Sequence, residues 1–513
     1  MARILLGFHC LPNFAKCAIL MVFFVLLIWK LKPSILNKIL SRAMDSYLRW
    51  KYPIMHIQDN RPIPTCPYRF PNGQGDVAKF LEGIDNSGDW GKKYGSVYRI
   101  WSGFKPEIVL TRPEHIQVVF RDSDKHIKAT SNNSGYLMGQ ILGQCVGLIS
   151  GSEWRTARLS TETPFLRKTV VEYVSLVQKH VSNHFTELWN FSNLKGGLLD
   201  PVEDLKMLPF WVVSEILYGE LDADMVQELK KLAPMREELF KYVIRGGLSR
   251  FGASRYLPSK ANTLLSTFQT RWKSFNDTVY QRALSSGKSA TIVGMYESVK
   301  QGKMTRSQML QTLDETLYAN LDVTTGGLSW NVVFLAAYPA YQEALLKEFE
   351  SVNPESHSRY FLSSSTLLSA CISESSRLKP LASFSVSQSA PTERIIDGYL
   401  IPAGTSFVVD SHALNIQNEF WGQDSESYRP ERFLEKETWE MRYHFWRFGF
   451  GPRQCMGKYV TDLIFRVLLV HFVEGYDLGL VENGEEWKKN PEKWIMHPQM
   501  AVKCVKKPKG GRK

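Results

Sequence analysis

The chain has 513 residues, 44% of them hydrophobic and 22% charged, enough for one large globular domain or two and without a bias toward disorder. Its net charge of +12 fits nucleic acid, an anionic membrane surface or an acidic protein as partner. No arginine-rich helix with interleaved aromatics speaks for nucleic acid, and the 7 scattered cysteines form neither a metal-ligand spacing nor a disulfide framework, which suits a reducing compartment.

In chain order, the first feature is an apolar run over residues 17–31, interrupted only by Lys30 and close to the length that spans a bilayer. A cleaved signal peptide would need small residues at its end, where this chain has Trp29-Lys30-Leu31-Lys32-Pro33. The run is therefore expected to be a transmembrane signal anchor. Lys30, Lys32, Lys38 and Arg42 follow it, against Arg3 and Lys16 before it. That bias places residues 1–16 on the lumenal side and the body in the cytosol. Residues 32–72 form a basic, proline-rich linker, with an amphipathic stretch at 35–40 suited to a membrane surface. Pro53, Pro62, Pro64, Pro67 and Pro71 then predict a stiff hinge. Residues 73–504 are the expected globular domain, and 505–513 a basic, solvated tail.

Within the domain, alternation bounded by Gly and Pro predicts strands over 96–101 and 107–110. Arg112-Pro113-Glu114 opens a helix, with Pro where its missing N–H costs nothing. Residues 202–346 are mostly helical, broken near Gly246-Gly247 and Leu257-Pro258. Strands are expected again over 384–387 and 396–402, and a last helix over 457–472. The fold class is mainly α with a minor β region (α+β).

Four constellations carry chemistry. Trp154 and Arg158 are four apart and share a helix face, from which both can donate to a carboxylate. Asp322, Thr324 and Thr325 precede the pair Gly326-Gly327 inside a long helical pattern, where such residues predict a local opening. Glu374 and Arg377 stand one helical turn apart, with Arg432 downstream. The run Phe448-Gly449-Phe450-Gly451-Pro452-Arg453-Gln454-Cys455-Met456-Gly457 sets one cysteine among glycines that permit close backbone approach. Its five fixed residues would meet by chance in about one chain in ten thousand. A thiolate there can ligate a metal, backbone amides can temper its charge, and Arg453 offers a fork of donors to a carboxylate.

In their order along the chain these motifs resemble the cytochrome P450 family, over about residues 49–503. The approach Trp446-Arg447-Phe448 and the variant Leu321-Asp322-Val323-Thr324-Thr325 are similar to fungal enzymes of secondary metabolism, some of which tailor diketopiperazines toward sulfur-bridged toxins. The resemblance implies haem b ligated by Cys455, bound by Trp154, Arg158, Phe448, Arg453 and Gly457. It implies a structural triad of Glu374, Arg377 and Arg432. Asp322, Thr324 and Thr325 would manage protons, although Val323 stands where the family places a threonine directly after the acid. A bulge could re-aim Thr324, or water could take the role. Gln388 and Asn415 replace an arginine and a histidine that commonly serve the haem carboxylates, with Arg394 and His412 as candidate substitutes.

The function implied is a monooxygenase that inserts one oxygen atom from O2 into a small hydrophobic substrate, such as a diketopiperazine. It would be anchored in the endoplasmic-reticulum membrane and served by NADPH-cytochrome P450 reductase, because no flavin or dinucleotide fingerprint is present. Expected pocket walls are residues 135–138, 317–325 and 381–384. The alternatives are a haem-thiolate dehydratase or isomerase without net oxygen insertion, which would consume no NADPH, and a non-enzymatic haem sensor.

Overall fold

A computed structural model describes residues 33–508, apart from 130, 288–289, 482–486 and 488. The anchor expected at 17–31 and the segment before it lie outside the described residues, as does most of the tail. Among the described residues no helix is long and apolar enough to cross a membrane.

The amphipathic stretch at 35–40 is part of a longer helix, Pro33–Lys51. Leu36 and Leu48 turn inward, while Ile35, Ile39, Tyr47 and Trp50 stay exposed. Two polar side chains on this helix fasten the proline-rich stretch behind it. Tyr68 N–H donates to Asp45 Oδ1 at 2.9 Å, and Phe70 N–H donates to Ser41 Oγ at 2.9 Å. The stretch expected as a hinge is therefore docked on the domain. Ile63, Cys66 and Tyr68 are buried, and its backbone pairs with Arg99 through Cys66 N–H and Pro64 C=O.

The main sheet runs, in spatial order, Val97–Ser102, Lys105–Leu110, Ser406–Val409, Gln388–Ser389 and Ile127–Lys128. Its first pair is antiparallel, with Val97 opposite Leu110, and its second is parallel, with Glu107 opposite Ser406. Val97–Ser102 is buried along its whole length, as a strand covered on both faces must be. Two expected strands differ from what forms. Over 384–387 only Phe384 bridges, to Asp410, and the paired strand is Gln388–Ser389. Serine side chains compete with the ladder here: Val409 N–H donates to Ser385 Oγ at 2.9 Å, in place of a backbone acceptor. The strand expected at 396–402 is a hairpin, Arg394–Ile396 with Tyr399–Ile401. Its two-residue turn, Asp397-Gly398, has φ of 47° and 77°, the left-handed geometry that matches strand twist.

The helical bulk closes over one continuous core that includes Leu317, Leu328, Val332, Leu463 and Leu468. Two helices cross its centre. Lys458–Gly475 buries most of its residues after the first turn. The other begins as Arg306–Ala319, passes through a π-helical turn at Asn320–Thr324, and continues as Thr325–Ala337. Every residue from Thr325 to Ala336 is buried, so this helix is apolar all round because protein surrounds it on every side.

Candidate functional site

Cys455 lies where the loop after Trp446 turns into the helix Lys458–Gly475. Gly449 and Gly451 adopt φ of 80° and 68°, so the loop needs residues without a Cβ penalty there. At Gly451 a side chain would also collide with Ser123 Oγ. Cys455 N–H donates to Phe448 C=O at 2.9 Å, which folds the loop back on itself. Trp446 and Phe450 stack edge to face at 5.0 Å and lean on Phe120, which fixes the approach. The Arg447 guanidinium covers the half-buried Phe448 ring at 4.4 Å.

The sulfur is accessible, yet protein closes round it closely enough that burial holds its thiol above the usual range; the Gly457 N–H opposes that shift. The thiol therefore keeps one open side from which a metal can be ligated. The start of an 18-residue helix also presents its positive end to the thiol, which favours the thiolate.

Cations gather on one side of this thiol. Trp154, on the helix Gly151–Thr161, lies under the Arg453 guanidinium at 4.6 Å. Arg453 donates from Nη2 to Ile149 C=O at 2.6 Å, while its buried Nε and Nη1 have no hydrogen-bond partner among the described residues. Burial, with Arg158 adding to it, lowers Arg453 to about 10. Arg158 pairs with Glu162 at 2.7 Å and reaches toward Gln454 C=O at 3.5 Å.

Lys128, which the sequence reading missed, joins them. It stands directly across the ladder from Gln388, whose Oε1 is itself buried without a partner among the described residues. Burial, reinforced by Arg453, pushes Lys128 down to about 8. Neither Lys128 nor Arg453 has a carboxylate at ion-pairing distance among the described residues. Half-buried cations with no partner carboxylate, and two buried guanidinium nitrogens left without an acceptor, fit an anionic ligand.

The two substitutes considered for Gln388 and Asn415 are engaged elsewhere. Arg394 pairs with Asp122 at 2.6 Å, and His412, pushed down to about 4 by burial and by Lys379, lies 3.5 Å from Ser87 Oγ. Asn415 clasps the backbone of Trp446, accepting from its N–H at 2.8 Å and donating to its C=O at 2.9 Å. It steadies the approach to the cysteine loop.

Glu374, Arg377 and Arg432 come together. Glu374 receives Arg377 Nε at 2.7 Å and Nη2 at 2.8 Å, and Arg432 Nε at 3.3 Å.

Above the cysteine helix, the π turn carries the remaining residues. Asp322 is half-buried, with its Oδ2 accepting from Trp494 Nε1 at 2.8 Å. Its carbonyl accepts from Thr325 N–H at the end of the turn and also from His497 Nε2 at 2.8 Å. Thr324 is buried, and Thr325 donates to Lys206 C=O at 3.4 Å, toward the neighbouring helix. Gly326 and Gly327 lie after the turn, in regular helix, and their reason is packing. A Cβ at Gly326 would press on His497 and Ile495 at 3.0 Å, and one at Gly327 would enter the Phe465 ring at 2.6 Å. Leu381 lies 3.7 Å from that same Gly327 position, and Leu137 and Met138 share the core with Leu317 and Leu321. Leu381, Leu137 and Met138 thus pack beside the helix that carries the π turn.

Glu315, also missed, faces this interior from the preceding helix. Gly147 N–H donates to its Oε2 at 3.0 Å. Among the described residues no group of three or more His, Cys, Asp or Glu gathers to hold a metal, so the site offers a single-thiolate ligand set.

Comparison with known proteins adds the family. The cytochrome P450 family model matches residues 85–505. The cytochrome P450 monooxygenase aclC of Aspergillus oryzae is 54% identical over 465 residues, 90% of this chain and 95% of its own. The cytochrome P450 monooxygenase asaD of Aspergillus flavus is 50% identical over 474 residues, 92% of each chain. The cytochrome P450 monooxygenase gliC of Aspergillus fumigatus is 39% identical over 486 residues, 92% of this chain and 94% of its own. With its accessible thiol in a glycine-rich loop and its length matched by the family model and by these relatives, this chain belongs to the cytochrome P450 family.

Proposed function

We propose that this chain is a monooxygenase that inserts one oxygen atom from O2 into a small hydrophobic intermediate of fungal secondary metabolism, a diketopiperazine, with haem b ligated by Cys455. The observation that carries the reading is the accessible Cys455 thiol in a glycine-rich loop beside two half-buried cations, Lys128 and Arg453, that have no carboxylate at ion-pairing distance among the described residues. A haem brings two propionates to such cations. Arg453, Lys128 and Arg158 would bind them, with the Trp154 ring fixing the plane of Arg453. When bound, the haem supplies oxygen activation, which thiolate ligation favours.

The rest is the protein's task. Cys455 supplies the sulfur, and Gly457 N–H tempers its charge. Leu137, Met138, Leu317 and Leu321 pack the core beside the site and keep water from it. Protons enter at the π turn. Trp494 holds the Asp322 carboxylate in place, and the extra residue of the turn rotates Thr324 relative to a regular helix. Thr325, with its hydroxyl on Lys206 C=O, is placed to brace the turn rather than to pass a proton. Electrons come from NADPH-cytochrome P450 reductase.

The test is reconstitution with that reductase under labelled O2. One labelled oxygen atom in the product and NADPH consumption are expected; turnover without NADPH, as in a dehydratase or isomerase, would overturn the reading. In the same assay Thr324→Val should uncouple the cycle, with NADPH still consumed, hydrogen peroxide rising and product falling about 10²-fold or more. If Asp322 works through water alone, Thr324→Val is silent and Asp322→Asn slows turnover. Normal rate and coupling in both variants would remove the proton-relay role.

The protein's place is the endoplasmic-reticulum membrane, held by residues 17–31 with the domain in the cytosol. The exposed Ile35, Ile39, Tyr47 and Trp50 on Pro33–Lys51 support a surface that lies against lipid. Three glycosylation sequons exist, but Asn276 is 0% exposed and Asn132 7%, which leaves the exposed Asn190 as the reporter. No glycan is expected there. An endoglycosidase-sensitive mass shift that disappears in Asn190→Gln would reverse the topology.

A further inference from the structure

One face of the helix Arg306–Ala319 receives the backbone of the loop 144–147. Gln144 N–H donates to Gln311 Oε1 at 2.6 Å, Val146 N–H to Thr312 Oγ1 at 3.1 Å, and Gly147 N–H to Glu315 Oε2 at 3.0 Å. Two of these acceptors are neutral groups and the third is a carboxyl, which burial pushes up while Gly147 N–H, Lys128 and Arg158 oppose that shift. Holding a loop needs only an acceptor, and a glutamine of the same length would serve without the cost of desolvating a carboxylate. The sequence around Glu315 is nevertheless shaped to admit the charge. Gly147 has no side chain, and a Cβ there would collide with the carboxylate.

Glu315 is only half-buried although it lies deep in the protein. Two residues past Gly147, Ile149 C=O accepts from Arg453 Nη2 at 2.6 Å, so the loop held by Glu315 also carries the contact of Arg453 beside the cysteine loop. Seven residues separate Glu315 from Asp322, which lies in the π turn that follows this helix. A carboxylate has about four acceptor positions, and Gly147 N–H occupies one. Lys128 and Arg158, the cations that act on it, are engaged by the propionates in the proposed function. The remaining acceptor positions therefore call for a donor that arrives with the substrate.

We propose that Glu315 is the polar anchor of the substrate pocket and accepts a hydrogen bond from an N–H group of the ligand. The inference rests on the monooxygenase reading and narrows its substrate to a cyclic amide with a free N–H. Anchoring by one charged acceptor also fixes which carbon is offered for oxidation, since an otherwise apolar pocket leaves a compact ligand free to turn.

The experiment is spectral titration of the haem-loaded enzyme with a cyclic dipeptide of two phenylalanines and with its N,N′-dimethyl homologue. Ligands that leave the spin state unchanged are read by displacement of an imidazole. The wild type is expected to bind the free N–H compound about 10- to 100-fold more tightly than the methylated one. Glu315→Gln, whose amide oxygen can still hold Gly147, should lose most of that preference while keeping the reduced carbon-monoxide band. Equal binding of the pair by wild type, or a preference that survives in Glu315→Gln, would overturn the anchor. If wild type binds neither compound, the diketopiperazine reading fails, and the anchor is decided by benzamide against N,N-dimethylbenzamide. A preference for benzamide that Glu315→Gln loses sustains it; no preference ends it. Should Glu315→Gln fail to load haem, Glu315→Asp withdraws the charge by one carbon and is expected to show the same loss of preference.

Discussion

Cys455→Ala is expected to abolish the thiolate-type band of the reduced, carbon-monoxide-bound protein and to end turnover. The other described cysteines offer no substitute. Burial pushes the thiols of Cys66, Cys371 and Cys504 up to about 12, and that of Cys145 well above its usual range. A buried thiol of that kind stays protonated, and the thiolate is the form that binds metal. Cys455 is also raised by burial, with the Gly457 N–H opposing the shift, but it alone of the described cysteines has an accessible face, and it stands at the start of a long helix. Ligation by iron then removes its proton at neutral pH, as metal binding does for thiols generally. The measurement is the carbon-monoxide difference spectrum of equal amounts of variant and wild type, with helical circular dichroism as the check on folding. A full thiolate band in folded Cys455→Ala would refute the assignment.

What the sequence revealed and what it hid divide along chain distance. The cysteine loop was legible because its requirements are local: two glycines with positive φ, an arginine and a cysteine within a few residues. The acid and the base of Glu374 and Arg377 were legible for the same reason, one turn apart on one helix. The disturbance near Asp322 was visible in composition and is present as a π turn. The glycines beside it were read as loosening the helix, whereas they let Phe465 and the 495–497 segment approach it. Lys128 was hidden because its place beside Arg453 depends on the pairing of Ile127–Lys128 with Gln388–Ser389, strands far apart in the chain. Glu315 was hidden because a glutamate in a helix is ordinary until the loop 144–147 is known to dock on it. Asn415 looked like a weakened haem contact; its partner is the Trp446 backbone.

Glu374→Gln is expected to cost nearly all haem incorporation while changing one oxygen to a nitrogen. Glu374 and Arg377 are 0% exposed and Arg432 is 1% exposed, so water cannot replace the lost charge. Breaking such a buried group costs about 3–5 kcal/mol, a large part of a typical folding stability of about 5–15 kcal/mol. The damage would not stay local. Arg377 also donates to Asn415 C=O at 3.0 Å and Ser425 C=O at 2.6 Å, and Arg432 donates to Trp421 C=O at 2.7 Å. The two guanidiniums thereby hold the segment that carries Asn415. Asn415 in turn holds Trp446, and the chain from Trp446 leads directly into the cysteine loop. Glu374 anchors this series with four hydrogen bonds, the fourth from Arg429 N–H at 2.9 Å. A glutamine keeps the shape, but its NH2 would face an arginine donor. The measurement is the ratio of haem absorbance to protein in the purified variant, expected below about one-tenth of wild type. Glu435→Gln is the control: its carboxylate pairs with Arg429 at 2.8 Å but is largely exposed, where an ion pair adds little. That control should load haem normally. Normal loading in Glu374→Gln as well would mean that the cysteine loop is held without the triad.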